Sequence, residues 1–128
     1  MTFEEAHRAI KRGQTNVIEE AVPVTINVNE VNRFGWTLLM LTALEGNTKI
    51  GEVLLDRGAE VAALNQFGES ALSLAAHNGH LNFVKLLISR GASGEVRPHG
   101  HDLENWLRTA SGLPPSKIDA LMEALGKS

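Results

Sequence analysis

The residues best suited to chemistry lie in one short loop, residues 99–102, which contains His99, His101 and Asp102 around a glycine. Two imidazoles and a carboxylate are ligand types that can hold a transition metal. The competing interpretation is a polar loop whose glycine makes the turn. We predict this polar loop, and therefore no metal, no cofactor and no enzymatic activity. A metal-dependent or catalytic protein that uses residues 99–102 is the alternative.

Other catalytic patterns are missing from the sequence. It contains no nucleophile motif, no glycine loop of the kind that holds phosphate, and no pair of carboxylates with an evident pocket. It has no cysteine, which excludes disulfides and thiolate chemistry. The sequence therefore favours a binding protein over an enzyme.

Composition and charge further restrict the expected partners and location of the protein. The chain has 128 residues, a formal net charge of −3 and a pI near 5.9. A nucleic-acid-binding protein usually shows a clustered basic face, so we expect no nucleic-acid partner. Neither a secretory signal nor a run of 18 apolar residues occurs. We expect one soluble, cytoplasmic domain over residues 1–128, without membrane contact and monomeric when free.

Glycines repeat along the chain at a fixed interval. Counting 33 residues on from Gly35 gives Gly68, and from Gly46 gives Gly79. The apolar residues between them follow the same interval; the matched pairs are Leu39 with Leu72, Ala43 with Ala76 and Leu54 with Leu87. A fixed period of 20–50 residues indicates stacked supersecondary units.

One unit can be derived from its own residues. The apolar residues Leu72, Leu74, Ala75 and Ala76 indicate a short helix. Gly79 ends it because glycine enters the left-handed conformation at little cost. A second helix follows, in which Leu81, Val84 and Leu87 lie on one face at helical spacing. Two short helices have no interior of their own. Each unit must therefore bury its apolar faces against neighbouring units.

Residues 68–92, GESALSLAAHNGHLNFVKLLISRGA, closely resemble the pattern of the ankyrin-repeat family. The resemblance implies an all-α fold, an ankyrin-repeat solenoid of stacked helix–turn–helix units joined by β-hairpin-like loops. Two full repeats are expected, flanked by two degenerate capping repeats. Their predicted bounds are 1–31 for the N-terminal cap, 32–64 and 65–97 for the full repeats, and 98–128 for the C-terminal cap.

The capping repeats are predicted from the same register. We expect helices over residues 3–12 and 16–21, and then an extended segment over residues 24–31, where apolar and polar residues alternate. In the C-terminal cap we expect a helix over residues 103–110, with Trp106 in the terminal core. A capping box formed by Ser116 and Asp119 is expected to open the last helix.

The resemblance also implies a function, that of a non-catalytic protein–protein interaction module. In this family the partner-facing positions are the hairpin tips and the exposed concave side of each first helix. Mapped onto the two full repeats, the predicted partner-binding residues are Arg33, Phe34, Trp36, Leu44, Glu45, Gln66, Phe67, Glu69, His77, Asn78 and Arg97. In the caps and at the edge of the second repeat, the same mapping adds Phe3, Lys11, Arg12, Val31, Leu64, His99, Asp102, Ala110 and Ser111.

The aromatic residues Phe34, Trp36 and Phe67 are predicted to form the centre of this interface, since aromatics are enriched in binding hot spots. Two alternatives remain at this point. Phe34 and Phe67 could instead pack sideways along the row of hairpins and join the repeats, or the same face could bind a second copy of the chain. The partner is another protein, and the module acts on it as an inhibitor, an antidote, a scaffold or an adaptor.

Overall fold

A computed structural model describes residues 1–126 of the chain. Lys127 and Ser128, which the predicted C-terminal repeat includes, lie outside the described residues. A 3-10 turn, Pro98–Gly100, lies between the sixth and seventh α-helices, and within the described range no helix is long and apolar enough to cross a membrane. The helices are α1 (Phe3–Lys11), α2 (Thr15–Ala21), α3 (Leu38–Glu45), α4 (Thr48–Asp56), α5 (Ala71–His77), α6 (Leu81–Ser89), α7 (Leu103–Ala110) and α8 (Pro115–Ala124).

The helices form two layers. The first helix of each pair packs on the first helix of the next pair, so that α1, α3, α5 and α7 form one layer in chain order. The second helices, α2, α4, α6 and α8, form the other layer in the same order. The two helices of each pair also pack on one another. The predicted all-α stack of helix–turn–helix units is confirmed.

Each first helix begins with a side chain that satisfies its free backbone N–H groups. Thr2, Thr37, Ser70 and Asp102 are the N-cap residues of α1, α3, α5 and α7, and each accepts a hydrogen bond from the backbone N–H three residues on. Serine, threonine and aspartate are preferred at this position. The local sequence therefore fixes where the four first helices begin.

Burial differs between the middle and the ends of the stack. Residues 38–43 of α3 and 71–76 of α5 are all buried, because these two helices have neighbours on both sides. The end helices α1 and α7 each bury only one face. Trp106 on that face of α7 is buried, which confirms its predicted place in the terminal core.

Contacts at the turns show that the units stack in one register. His80 lies over Gly46, where an added Cβ would be 2.5 Å from the His80 Nδ1. The His80 Nε2 also donates a hydrogen bond of 2.9 Å to the Leu44 carbonyl, at the end of α3. Leu113 lies over Gly79 at the same offset along the chain, 3.2 Å from an added Cβ. The C-terminal unit therefore stacks on its neighbour as the full repeats do.

The predicted extended segment over residues 24–31 is wrong. The chain instead makes consecutive turns after α2. The backbone N–H groups of Thr25 and Ile26 both donate to the Ala21 carbonyl, at 2.8 and 3.2 Å, so the chain folds back over the end of the helix. The alternation of apolar residues reflects burial of Ile26 and Val28 under this turn rather than a strand.

The predicted capping box at the start of the last helix is also wrong. Helix α8 begins at Pro115, so Ser116 lies within the helix rather than at its N-cap, and no side chain caps the helix. Proline suits the first helical position because its missing N–H would have no partner there. The Asp119 carboxylate instead accepts a hydrogen bond of 2.8 Å from Arg108 on α7. This contact links the two helices of the C-terminal unit.

Candidate functional site

Three loops precede the first helices α3, α5 and α7, and their tips form what we call the hairpin row, residues 31–36, 64–69 and 97–102. An asparagine shapes each of the first two loops. The Asn32 Oδ1 accepts hydrogen bonds from the backbone N–H groups of Phe34 and Trp36, both at 3.0 Å. Asn65 does the same for the residues two and four positions further on. Asparagine commonly stabilises tight turns in this way.

Hydrogen bonds also connect each tip to the next. Gln66 donates its backbone N–H to the Phe34 carbonyl at 3.1 Å and its side-chain Nε2 to the Arg33 carbonyl at 2.9 Å. One unit further on, the backbone N–H of His99 donates to the Phe67 carbonyl at 2.9 Å. The three tips are thereby held side by side.

The hairpin row carries most of the large exposed apolar side chains of the described residues. Val31 is 52% exposed and Phe34 is 43% exposed on the first tip. The residues one repeat later, Leu64 and Phe67, are 55% and 47% exposed. We call these four side chains the apolar stripe. The recurrence of an apolar residue at the same loop position was the sequence signal for Val31 and Leu64, which the predicted centre of the interface omitted.

Trp36 does not have the free ring that the sequence suggested. It immediately precedes Thr37, the N-cap of α3, and its side chain is half-buried against the core. Its position at the start of the helix turns much of the indole towards the stack. Trp36 therefore contributes to packing and offers only part of its ring to a partner.

Glu69, one of the predicted partner-binding residues, is not a free charge at the surface. The residue is only 8% exposed. Its Oε1 accepts a hydrogen bond of 2.8 Å from the Asn65 Nδ2, and its Oε2 lies 3.2 Å from the His99 Nε2. The carboxylate is thus engaged inside the protein and joins the second tip to the third.

A row of stacked rings connects the hairpin row to the far end of the first-helix layer. Phe67 stacks on His99 at 5.8 Å between ring centroids, and His99 lies 5.6 Å from Trp106. Trp106 in turn stacks on His77 at 4.5 Å, and the His77 Nε2 donates to the Ala110 carbonyl at 3.2 Å. Phe67 therefore packs sideways onto its neighbour, as one alternative proposed, while keeping much of its ring exposed.

The loop that contains His99, His101 and Asp102 holds two of these three side chains, His99 and Asp102, in structural contacts. His99 is engaged by Glu69 and by the stacked rings, and the Asp102 Oδ1 caps α7 by accepting from the Asn105 backbone N–H at 2.8 Å. In the part of the chain that the structure describes, no three His, Cys, Asp or Glu side chains are grouped so as to hold a metal ion. The geometry gives no support to the alternative of a metal centre there.

The predicted residues at the helix ends lie apart from the hairpin row. Leu44 and Glu45 end α3, and His77 ends α5, while the hairpins join the opposite ends of these helices. A helix of eight residues is about 12 Å long. Asn78, beside His77, donates its side-chain amide to the Leu74 carbonyl at 2.8 Å. The structure therefore divides the predicted site into a hairpin row and a helix-end region, which the rings of His99, Trp106 and His77 connect.

Two exposed arginines lie at the hairpin row. The Arg33 guanidinium lies 4.8 Å from the centroid of the Phe34 ring, and Arg97 donates to the Gly100 carbonyl at 3.0 Å. Two arginines elsewhere form ion pairs with carboxylates, Arg90 with Asp56 and Arg108 with Glu104 and Asp119. Within residues 1–126, neither arginine of the hairpin row has such a partner. Their positive charges remain available at the surface.

Comparison with known proteins yields a family model and partial relatives. A model described as ankyrin repeats (3 copies) matches residues 6–98. The chain is similar to the ankyrin repeat, SAM and basic leucine zipper domain-containing protein 1 of several mammals. Over 55 aligned residues, the identity is 38% for Oryctolagus cuniculus, 40% for Equus caballus and 36% for Dasypus novemcinctus. The aligned stretch covers 43% of this chain and only 12% of those relatives.

Proposed function

Because the chain belongs to the ankyrin-repeat family, whose members are generally protein–protein interaction modules, we propose that it binds a partner protein through the hairpin row, without catalysis. The observation that carries this proposal is the apolar stripe. Val31, Phe34, Leu64 and Phe67 are all large and all substantially exposed, at two positions that repeat from one tip to the next. A repeated pattern of exposure favours a shared role for these side chains.

The energetics of an exposed apolar surface support the same proposal. Scattered exposed apolar residues are normal on a soluble protein, whereas a patch of them usually marks an interaction site. Burial of apolar area contributes about 25 cal/mol per Å². A partner that covers the stripe gains this contribution from four side chains at once. The stripe owes its largest contact area to Phe34 and Phe67.

The hydrogen bonds between tips favour tight binding by a second route. Ordering a flexible loop on association costs free energy, and a loop that is already held in its bound shape avoids that cost. Gln66 ties the second tip to the first, and His99 ties the third tip to the second. The hairpin row therefore presents its side chains from a connected frame.

The other predicted contact residues contribute less to the proposed interface than the apolar stripe does. Arg33, Trp36, Gln66 and Arg97 border the apolar stripe, and Glu69 acts through its support of His99. The helix-end region would contact a partner large enough to reach beyond the tips; its residues are Leu44, Glu45, His77 and Asn78. An inhibitor, an antidote, a scaffold and an adaptor could each use this surface, and the partner decides between these roles.

Affinity capture with matched variants tests the proposal. The wild-type chain, the double variant Phe34→Ala/Leu64→Ala and the control Val24→Ala are each used to capture proteins from the native source. Val24 is a suitable control because it is 83% exposed and lies outside the hairpin row. We expect one or more proteins to be retained by the wild type and by the control and lost by the double variant, with unfolding midpoints unchanged. Equal recovery by all three chains would contradict the proposal.

Light scattering separates a foreign partner from self-association. We propose that the chain is monomeric when free. If the wild-type chain is instead a dimer and the double variant Phe34→Ala/Leu64→Ala is a monomer, a second copy of the chain occupies the stripe.

A further inference from the structure

Two arginines beside the apolar stripe have no carboxylate partner in the described range 1–126. Arg33 lies on the first tip and Arg97 at the third. Arg33 contacts the Phe34 ring, and the Arg97 guanidinium donates to the Gly100 carbonyl. The apolar side chains lie on the first two tips. A cation is therefore available at each end of the row.

The carboxylates of the hairpin row are mostly engaged. Glu69 is buried against Asn65 and His99, and Asp102 caps α7. Glu30 is exposed beside Val31, and Glu95 and Glu104 line the same pocket as Arg97 and Asp102. The row itself contains two arginines and two carboxylates, so its formal charges balance. Arg33 and Arg97 are the arginines of the row, and since no carboxylate pairs with them in the described range, they favour a partner with carboxylates at the matching positions.

The same charges disfavour a second copy as the partner. A two-fold interface places the same patch on both subunits. Two hairpin rows that pair face to face, in either direction, would bring arginine against arginine at their ends. Like charges that face each other across an interface cost several kcal/mol. The apolar stripe alone would permit self-association, but the arginines oppose it.

The length of the row limits what can lie across it. Packed helices are about 8–10 Å apart, so the first and third tips are roughly 16–20 Å apart. An extended chain advances about 3.3 Å per residue, which makes five or six residues enough to span the row. With its two ends at Arg33 and Arg97, such a segment would cover Leu64 and Phe67 with its centre, and Val31 and Phe34 would lie beside its Arg33 end.

On the basis of the proposed function, we infer that the hairpin row binds a short segment of its partner in which carboxylates flank an apolar centre. The unpaired arginines at both ends of the row, with four exposed apolar side chains between and beside them, carry this inference. Apolar contacts supply most of the binding free energy. The carboxylates set the position of the segment and exclude basic segments.

Selection from a random peptide library tests this inference directly. A phage-displayed library of random twelve-residue peptides is selected on the wild-type chain and on the charge-reversed variant Arg33→Glu/Arg97→Glu. The matched control is Arg8→Glu/Arg57→Glu, because both of these arginines are exposed and neither is among the predicted partner-binding residues. Unfolding midpoints verify that all three chains are folded.

We expect the wild type and the control to enrich peptides with aspartate or glutamate on both sides of apolar residues. A synthetic copy of the most enriched peptide should bind the charge-reversed variant at least about tenfold more weakly in a fluorescence anisotropy titration. Replacing its flanking carboxylates with amides should weaken its binding to the wild type. The charge-reversed variant should itself enrich peptides with lysine or arginine at the flanks.

Three results would overturn the inference. These are enrichment of neutral or basic peptides by the wild type, equal affinity for the charge-reversed variant, and the absence of any enriched peptide. Peptides that require Phe34 and Leu64 but no carboxylates would refute the inference and leave the proposed function standing. Peptides that bind independently of both the arginines and the apolar stripe would refute the proposed function itself.

Discussion

The substitution Leu87→Ala tests how the stack is held together. Leu87 lies on α6, which packs against α4, α5 and α8, and its side chain is fully buried. Truncation removes apolar contacts and leaves a cavity that the surrounding helices fill only partly. Leucine-to-alanine changes of this kind cost about 2–5 kcal/mol. A domain has only about 5–15 kcal/mol of stability in total, so this one change should remove a large part of it.

Urea unfolding followed by far-ultraviolet circular dichroism measures the loss. With an m-value of about 2 kcal/mol per molar urea, the midpoint should fall by roughly 1–2.5 M. Leu64→Ala is the matched control because it removes the same atoms from a side chain that is 55% exposed. The control should change stability by no more than about 0.5 kcal/mol. A loss below about 0.5 kcal/mol for Leu87→Ala, or equal losses for both variants, would refute the proposed packing.

Two further predictions concern the cooperativity of the stack and its N-terminal cap. Because each unit buries its apolar faces only against neighbours, the chain should unfold as one block. The single-tryptophan variants Trp36→Phe and Trp106→Phe should then give the same unfolding midpoint by fluorescence and by circular dichroism, and different midpoints would show that the units unfold independently. At the N-terminal end, the hydrogen bond that the Glu5 carboxylate accepts from the Thr2 backbone N–H lowers the pKa of this carboxyl group, and the interaction with the Thr2 side chain lowers it further. Since the folded pKa is below the unfolded one, this cap stabilises the fold at neutral pH and its contribution is lost as the pH falls through the folded pKa. Titration by nuclear magnetic resonance should find the Glu5 pKa below its ordinary range, and an ordinary value would contradict the capping interaction.

The period of the sequence predicted the stack because each repeated residue acts locally. The predicted helix over residues 103–110 matches α7, Leu103–Ala110, since its start and end depend on neighbouring residues. The segment over residues 24–31 was less predictable. Alternating apolar residues are typical of a strand, but a turn that buries Ile26 and Val28 produces the same pattern.

The role of Gly51 could not be predicted from the sequence of its own helix either. Glycine within a helix is only a weak helix former. The structure shows that Gly51, on α4, makes room for the Phe83 ring on α6, which an added Cβ would approach to 2.7 Å. The reason for this glycine lies on another helix, one repeat away. No pattern within α4 alone indicates it.

The candidate site was predictable where exposure repeats and unpredictable where contacts cross between repeats. Phe34 and Phe67 follow from their equivalent loop positions. The burial of Glu69 depends on His99, thirty residues further along the chain. Likewise, the half-buried state of Trp36 depends on how its loop meets the core. Spacing along the sequence supplies none of these distances, so the separation of the hairpin row from the helix-end region follows only from the fold.

The claim that the hairpin row binds a partner is tested most directly by isothermal titration calorimetry with a captured partner. Phe34→Ala/Leu64→Ala should lose at least about 2 kcal/mol of binding free energy, roughly a thirtyfold increase in Kd, if these side chains are hot spots. The control Val24→Ala should bind as the wild type does, and all three chains should unfold at similar urea concentrations. An unchanged Kd for the folded double variant would contradict the account and move the search to the helix-end region.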